Sequence, residues 1–234
     1  MMNKILSICG IGMLVISMLG ACSLFGGKKE PETLNGLILL GEQQALKKIE
    51  GEHKKDIKSA TLYKAKQVES EGKQVFVMDK ETAKRVMDRD ILRKRDNNDG
   101  IMSSAPLRSF PASGKDESIL FANKKNKDIK TLVLNGTKVH VNYDSDTWLG
   151  GWRQRSKFDE MIVIVPSSTF AKISVPEISM AIVELNKTSR DNKRPVDQDT
   201  EEKQTKSEFE FEKVVTELTK DLNTQDVLRV SIIK

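Results

Sequence analysis

Leu132-Val133-Leu134-Asn135-Gly136-Thr137-Lys138-Val139-His140-Val141 sets two short apolar runs on either side of an Asn-Gly pair. Asn-Gly accepts the positive φ that both central residues of a type I′ turn require, and the apolar residues on either side alternate with polar ones, as in a half-buried hairpin. If the turn sets the register, Leu134 pairs with Thr137 and Leu132 with Val139. Leu132, Leu134, Val139, Val141 and Tyr143 then share one face, and His140 lies on the other, so turn chemistry and hydrophobic pattern agree.

Working outward, residues 62–68 and 74–78 read as a second hairpin around Glu71-Gly72. Met161–Val165, Ile178–Leu185 and residues 227–233 are further apolar runs of strand composition. Helical spacing appears over 42–57, with Leu46, Ile49, His53 and Ile57 on one face, and over 80–95, with Ala83, Val86, Met87 and Ile91. A third helix is expected to open on the capping box Ser207-Glu208-Phe209-Glu210 and to bury Phe211, Val214, Val215, Leu218 and Leu222. Hairpins with helices grouped before and after them imply an α+β class: an antiparallel, hairpin-rich sheet packed with helices near the N-terminus and C-terminus.

The chain has 234 residues, 38% of them hydrophobic and 31% charged, with a net charge of +5. These values describe a globular chain of one or two modest domains. Only 2 Cys, with 14 Gly and 6 Pro, exclude a disulfide scaffold and a collagenous repeat. Two polar stretches divide the chain. Residues 96–117 contain 13 Gly, Pro, Ser, Asn or Asp among 22, which predicts a long exposed loop. Residues 186–206 have Val196 as their one apolar side chain, which predicts a polar linker or mobile loop. The expected organisation is a leader over 1–21, a tether over 22–33, an α+β domain over 34–185, the linker over 186–206, and a helix and strand over 207–234 that pack on the main domain.

The leader is the most specific signal. Met1-Met2-Asn3-Lys4 is a short basic start, residues 5–19 are almost uncharged and apolar, and Gly20-Ala21-Cys22 ends the run. This is the pattern of a secretory signal peptide, and the run is short for a bilayer span, which needs about 20 residues. Leu19-Gly20-Ala21-Cys22 resembles the lipobox of bacterial lipoproteins. The resemblance implies cleavage before Cys22, diacylglycerol on its thiol, and acylation of the new amine. Cys9 would leave with the leader, so no free thiol would remain for a disulfide, a nucleophile or a metal. Two or three acyl chains suffice for stable anchoring. In diderm enterobacteria an Asp after the lipidated Cys favours inner-membrane retention; Ser23 stands here, so the resemblance implies outer-membrane delivery. An ordinary signal peptide beside a free Cys, or a short membrane anchor, are the alternatives. In its Lys-over-Arg bias and polar body, the remainder is loosely similar to small surface lipoproteins of spirochaetes and similar diderms.

Motifs of catalysis are weak. His53 and His140 lack an obvious partner in sequence. The segment 111–116 ends in Gly-Lys without the rest of a P-loop, and Ser70-Glu71-Gly72-Lys73 has the Ser-x-x-Lys spacing of penicillin-recognising enzymes without their other motifs. The segments 96–100 and 142–146 place oxygens at alternate positions but depart from the EF-hand pattern, and ordinary Asx turns explain both. The sequence therefore assigns no catalytic residue, cofactor or metal ligand.

Two segments stand out as candidate contact surfaces. Trp148 and Trp152 flank Gly150-Gly151 and precede Arg153 and Arg155. Trp and Arg are enriched at interface hot spots, so these four are candidate partner-binding residues; the alternative is that one or both rings close over the core. On the helix expected over 80–95, Arg85, Arg89 and Arg93 repeat every four residues and form a candidate patch for an anionic surface, the alternative being a solvated charged face. The combined expectation is a non-enzymatic, lipid-anchored envelope protein. It is surface-exposed on the outer membrane and binds an unknown protein or glycan, with no nucleic-acid role. A periplasm-facing accessory lipoprotein for envelope assembly or a secretion complex is the alternative, and an envelope hydrolase a more distant one.

Overall fold

The Asn135-Gly136 turn takes the predicted backbone, with φ of 46° and 81°. It joins β7 (Thr131–Leu134) to β8 (Thr137–Ser145), pairing Leu132 with Val139 and Leu134 with Thr137. This is seen in a computed structural model that describes residues 33–98, 101–111, 117–150, 161–189, 198–223 and 226–232. All of them belong to one unit, residues 32–234. The second predicted hairpin is also present: β2 (Ile57–Ser70) and β3 (Lys73–Asp79) meet at Glu71-Gly72, both at positive φ, with Val68 opposite Val75.

The other elements are β1 (Gly36–Gly41), α1 (Gln43–Glu52), α2 (Lys80–Met87), β4 (Leu92–Asn98), β5 (Ile101–Pro106), β6 (Ser118–Ala122), β9 (Thr147–Leu149), β10 (Met161–Val165), α3 (Ser167–Lys172), β11 (Ile178–Leu185), α4 (Gln198–Thr219) and β12 (Val227–Val230). The fold is α+β. Among the described residues, nine strands form one mixed sheet in the order β12-β1-β11-β2-β3-β10-β6-β8-β7, and β5-β4-β9 form a second. The pairs β3–β10 and β6–β8 are parallel; the others in the large sheet are antiparallel.

Both faces of the large sheet are covered. On one face Ile38, Phe76, Ile162 and Ile182 pack with Val86 of α2 and with Leu92 and Leu149 of the small sheet. On the other face, the half containing β1 and β11 is covered by Leu46 of α1 and by Phe211, Val215 and Leu218 of α4. The remaining half curls until β2 touches β7, enclosing Val77, Leu120, Leu134, Val141 and Val163, with Phe170 of α3 among them. Each fully buried Leu, Ile or Phe side chain contributes about 1.5–3 kcal/mol relative to exposure.

Four expectations are corrected. The helix over 42–57 ends at Glu52, where the His53 N–H donates to Ile49 O at 3.1 Å, and Ile57 instead begins β2 opposite Leu185. The helix over 80–95 ends at Met87; Asp90 takes a φ of 61°, and the chain enters β4 because Leu92 and Arg93 pair with Leu149 and Trp148. The loop over 96–117 is in part a hairpin, since Asp96, Asn97 and Asn98 pair with Ser103, Met102 and Ile101. The linker over 186–206 is in part helix: α4 begins at Gln198, so Ser207 lies inside it and donates its Oγ to Thr188 O at 2.7 Å rather than capping.

Candidate functional site

The small sheet is held to the end of β8 by charged and aromatic groups rather than by apolar ones alone. Arg95 on β4 donates its backbone N–H to Asp146 O at 2.8 Å. Its Nε lies 3.3 Å from Asp146 Oδ1, and its guanidinium stacks 3.5 Å above the Trp148 ring. The strand alternation of β9 explains the placement, because Trp148 pairs with Arg93 while Thr147 pairs with Lys94. Beside this stack lies a cleft of about 480 Å³ bordered by Lys94, Lys124, Asp144, Ser145 and Asp146.

Hydroxyl groups complete the floor. Ser145 Oγ donates to Asp144 Oδ2 at 2.6 Å and lies 2.9 Å from Thr147 Oγ1. With its one proton committed to the carboxylate, Ser145 accepts from Thr147. That arrangement holds the hydroxyl rather than activating it. Burial raises the Asp146 pKa, with Arg95 and Lys124 opposing the shift. Burial also raises that of Tyr143, reinforced by Asp146 and Asp144. The cleft thus offers two lysines and two carboxylates on a rigid base, a surface suited to polar groups of either charge.

Trp148 is 6% exposed and belongs to the core, which corrects its candidacy as a partner-binding side chain: its ring serves as the platform for Arg95. Trp152, Arg153, Arg155 and Cys22 lie outside the described residues. The anionic-surface patch is also corrected, because the helix that would align it ends too early. Arg85 pairs with Glu81 at 2.8 Å, and Arg89, past the helix end, donates to Thr61 Oγ1 at 3.1 Å. Arg93 is 3% exposed on β4 and donates to Ser104 Oγ at 3.2 Å and Ser104 O at 3.1 Å. His53 sits 4.0 Å from Asp56, and exposed His140 lies 3.3 Å from Thr131 Oγ1. Among the described residues, no three His, Cys, Asp or Glu side chains are placed to share a metal ion.

Sequence reasoning missed Lys66. It is 4% exposed on β2 and donates from Nζ to Phe170 O at 2.7 Å and Ile173 O at 2.6 Å, while lying 4.6 Å from the Phe170 ring centroid. Each of these carbonyls also accepts a backbone N–H, Phe170 O from Ile173 and Ile173 O from Val175, so the lysine adds a charged donor where the short helix ends. Nothing local distinguishes this lysine from its exposed neighbour Lys64. The same holds for Glu184, buried in β11 and 2.7 Å from Lys58 Nζ.

Comparison with known proteins gives two positive results. A profile of a family described as "Uncharacterised lipoprotein family" matches residues 34–213. The fold is similar to that in the 1.5 Å crystal structure of a "Putative Lipoprotein from Bacillus anthracis", with a TM-score of 0.61 at 19% identity, covering 85% of this chain and 99% of that one. No curated protein matches the sequence.

Proposed function

This chain belongs to an uncharacterised lipoprotein family, and from that membership and its leader we propose that it is an exported, non-enzymatic envelope protein held by lipid on Cys22. The observation that carries the reading is the coincidence of two independent signals. Leu19-Gly20-Ala21-Cys22 has the small residues and the thiol that lipidation and cleavage need, and the family match begins only 12 positions after Cys22, at residue 34. The body binds a macromolecular partner from the outer face of the membrane. Its mixed-charge cleft at Lys94, Lys124, Asp144 and Asp146 supports recognition of a polar protein or glycan surface.

Incorporation of labelled palmitate into the wild type and Cys22→Ala, followed by protease treatment of intact cells, tests both halves. Label that depends on Cys22, with loss of the body on proteolysis, is the expected result. Label with a protected body would overturn the surface placement and direct the search to periplasmic partners. Absence of label would overturn the anchor.

A further inference from the structure

We propose that the end of the body from which the chain runs back to Cys22 is a docking surface for the anionic headgroups of the anchoring membrane. The inference rests on the lipid anchor and adds an orientation to it.

The hydrogen bonds bring that end together. Leu34 N–H donates to Ser189 Oγ at 2.8 Å, and Ser189 N–H returns a bond to Leu34 O at 2.7 Å. Three residues before Ser189, Asn186 donates from its backbone to Asp56 O and from Nδ2 to Lys55 O, both at 2.8 Å. Gly36 lies opposite Glu184, and Glu184 opposite Ser59. The turn after α1, which contains Lys54 and Lys55, therefore sits two strand spacings from the point of chain entry, roughly 10 Å away.

The charges there are unequal once the ion pairs are removed. Glu52 lies 3.8 Å from Lys48 and Glu184 2.7 Å from Lys58, which leaves Glu50 and Asp56 as the carboxylates of this end that no Lys or Arg pairs with among the described residues. Lys47, Lys54 and Lys55 are exposed, and among the described residues none of them forms an ion pair. Lys47, Lys54 and Lys58 border a groove of about 320 Å³ between α1 and β2, in which Glu50 is the one acidic residue described. A groove of that size admits a headgroup phosphate.

Covalent reach keeps this end of the body near the membrane. Eleven residue steps separate Cys22 from Thr33, so this end stays within roughly 35 Å of the lipid even with the chain fully extended. Tethering at that distance sets a high local concentration of headgroups, and each lysine brought within a Debye length of an anionic surface gains about fivefold in partition.

The test uses the mature lipidated protein in phosphatidylcholine vesicles with or without phosphatidylglycerol. Lysine acetylation is read residue by residue, and the exposed Lys138 on β8 serves as the internal reference. Lys54 and Lys55 are expected to react about fivefold more slowly in the anionic vesicles, and high salt is expected to abolish the difference. In K54E/K55E, whose substitutions are exposed and spare the fold, Lys47 and Lys58 are expected to lose their protection. Equal reactivity in both vesicle types, with the protein still floating with the lipid, overturns the docking surface and leaves the anchor standing. Flotation that is absent, or unchanged in Cys22→Ala, overturns the anchor and the docking surface together.

Discussion

The side chain of Asn35 pairs with the backbone of Ile232 as a strand would: Oδ1 accepts the Ile232 N–H at 2.6 Å and Nδ2 donates to Ile232 O at 2.9 Å. One primary amide thereby extends the β1–β12 ladder past Val230 and ties the last described turn of the chain to its first strand. Gly36 allows the approach, because a Cβ there would lie 2.4 Å from Ile232 Cδ1 and 2.7 Å from Val183 O.

Replacing Asn35 by Leu removes both bonds and strands two backbone groups against an apolar side chain. The expected loss is about 1–3 kcal/mol, read as a lower midpoint in urea unfolding with an unchanged slope. A midpoint within error of the wild type would show that the pairing contributes nothing net.

Lys66→Met keeps the volume of the stem and deletes the charge that satisfies Phe170 O and Ile173 O. Each carbonyl keeps its backbone N–H partner, so what is lost is the pair of charge-assisted hydrogen bonds, and the variant is expected to be destabilised by about 1.5–3 kcal/mol despite the more apolar side chain. Equilibrium unfolding monitored by circular dichroism checks it; a stabilised variant would mean that water reaches these carbonyls.

Trp148→Ala opens a cavity beneath Arg95 and is expected to cost about 3–5 kcal/mol. Arg95→Lys keeps the charge near Asp146 but loses the flat face that stacks on the indole, for about 0.5–2 kcal/mol. A double-mutant cycle between the two positions isolates the stacking, and a coupling energy of zero would remove it from the account.

Tyr143 provides a pH readout. Burial, then Asp146 and Asp144, raises its folded-state pKa above the ordinary phenol value. The unfolded chain therefore releases this proton first, so the contribution to stability is complete below about pH 10 and is lost as pH rises through the folded value. In a Tyr63→Phe background, phenolate absorbance is expected to show a midpoint above that of free tyrosine, and Asp146→Asn to move it down. A midpoint that ignores the Asp146 substitution would contradict the electrostatic contact.

The register of the Asn135-Gly136 hairpin, the presence of the second hairpin, the apolar strand runs and the stripe of α4 were legible in the sequence because each rests on contacts within a few residues. At Asn135-Gly136 the turn chemistry and the alternation specify the same pairing. β1 and β6 escaped notice for a physical reason: strands covered on both faces lose alternation, and Leu37 to Leu40 read as a bare apolar run. The helix over 80–95 was overextended for a physical reason. Residues 88–95 keep helical spacing in sequence, yet pairing of Leu92 with Leu149, 57 positions away, outweighs local propensity.

The resemblance of residues 19–22 to a lipobox is a pattern of linear sequence, and the family match agrees with it at the level of a lipoprotein. The body's surface was not legible. Whether Trp148 faces solvent or core, whether Arg93 is exposed, and which lysine caps α3 depend on strands that meet across the whole chain. Side chains of one type, such as Lys64 and Lys66 on the same face of β2, are indistinguishable until tertiary packing lays the end of α3 over one and leaves the other exposed. Sequence alone determined the α+β class and the register of the Asn135-Gly136 hairpin, and it carries the leader's resemblance to that of a lipoprotein; tertiary pairing decided which charged groups are buried, because desolvation acts on position in space and not on position in the chain.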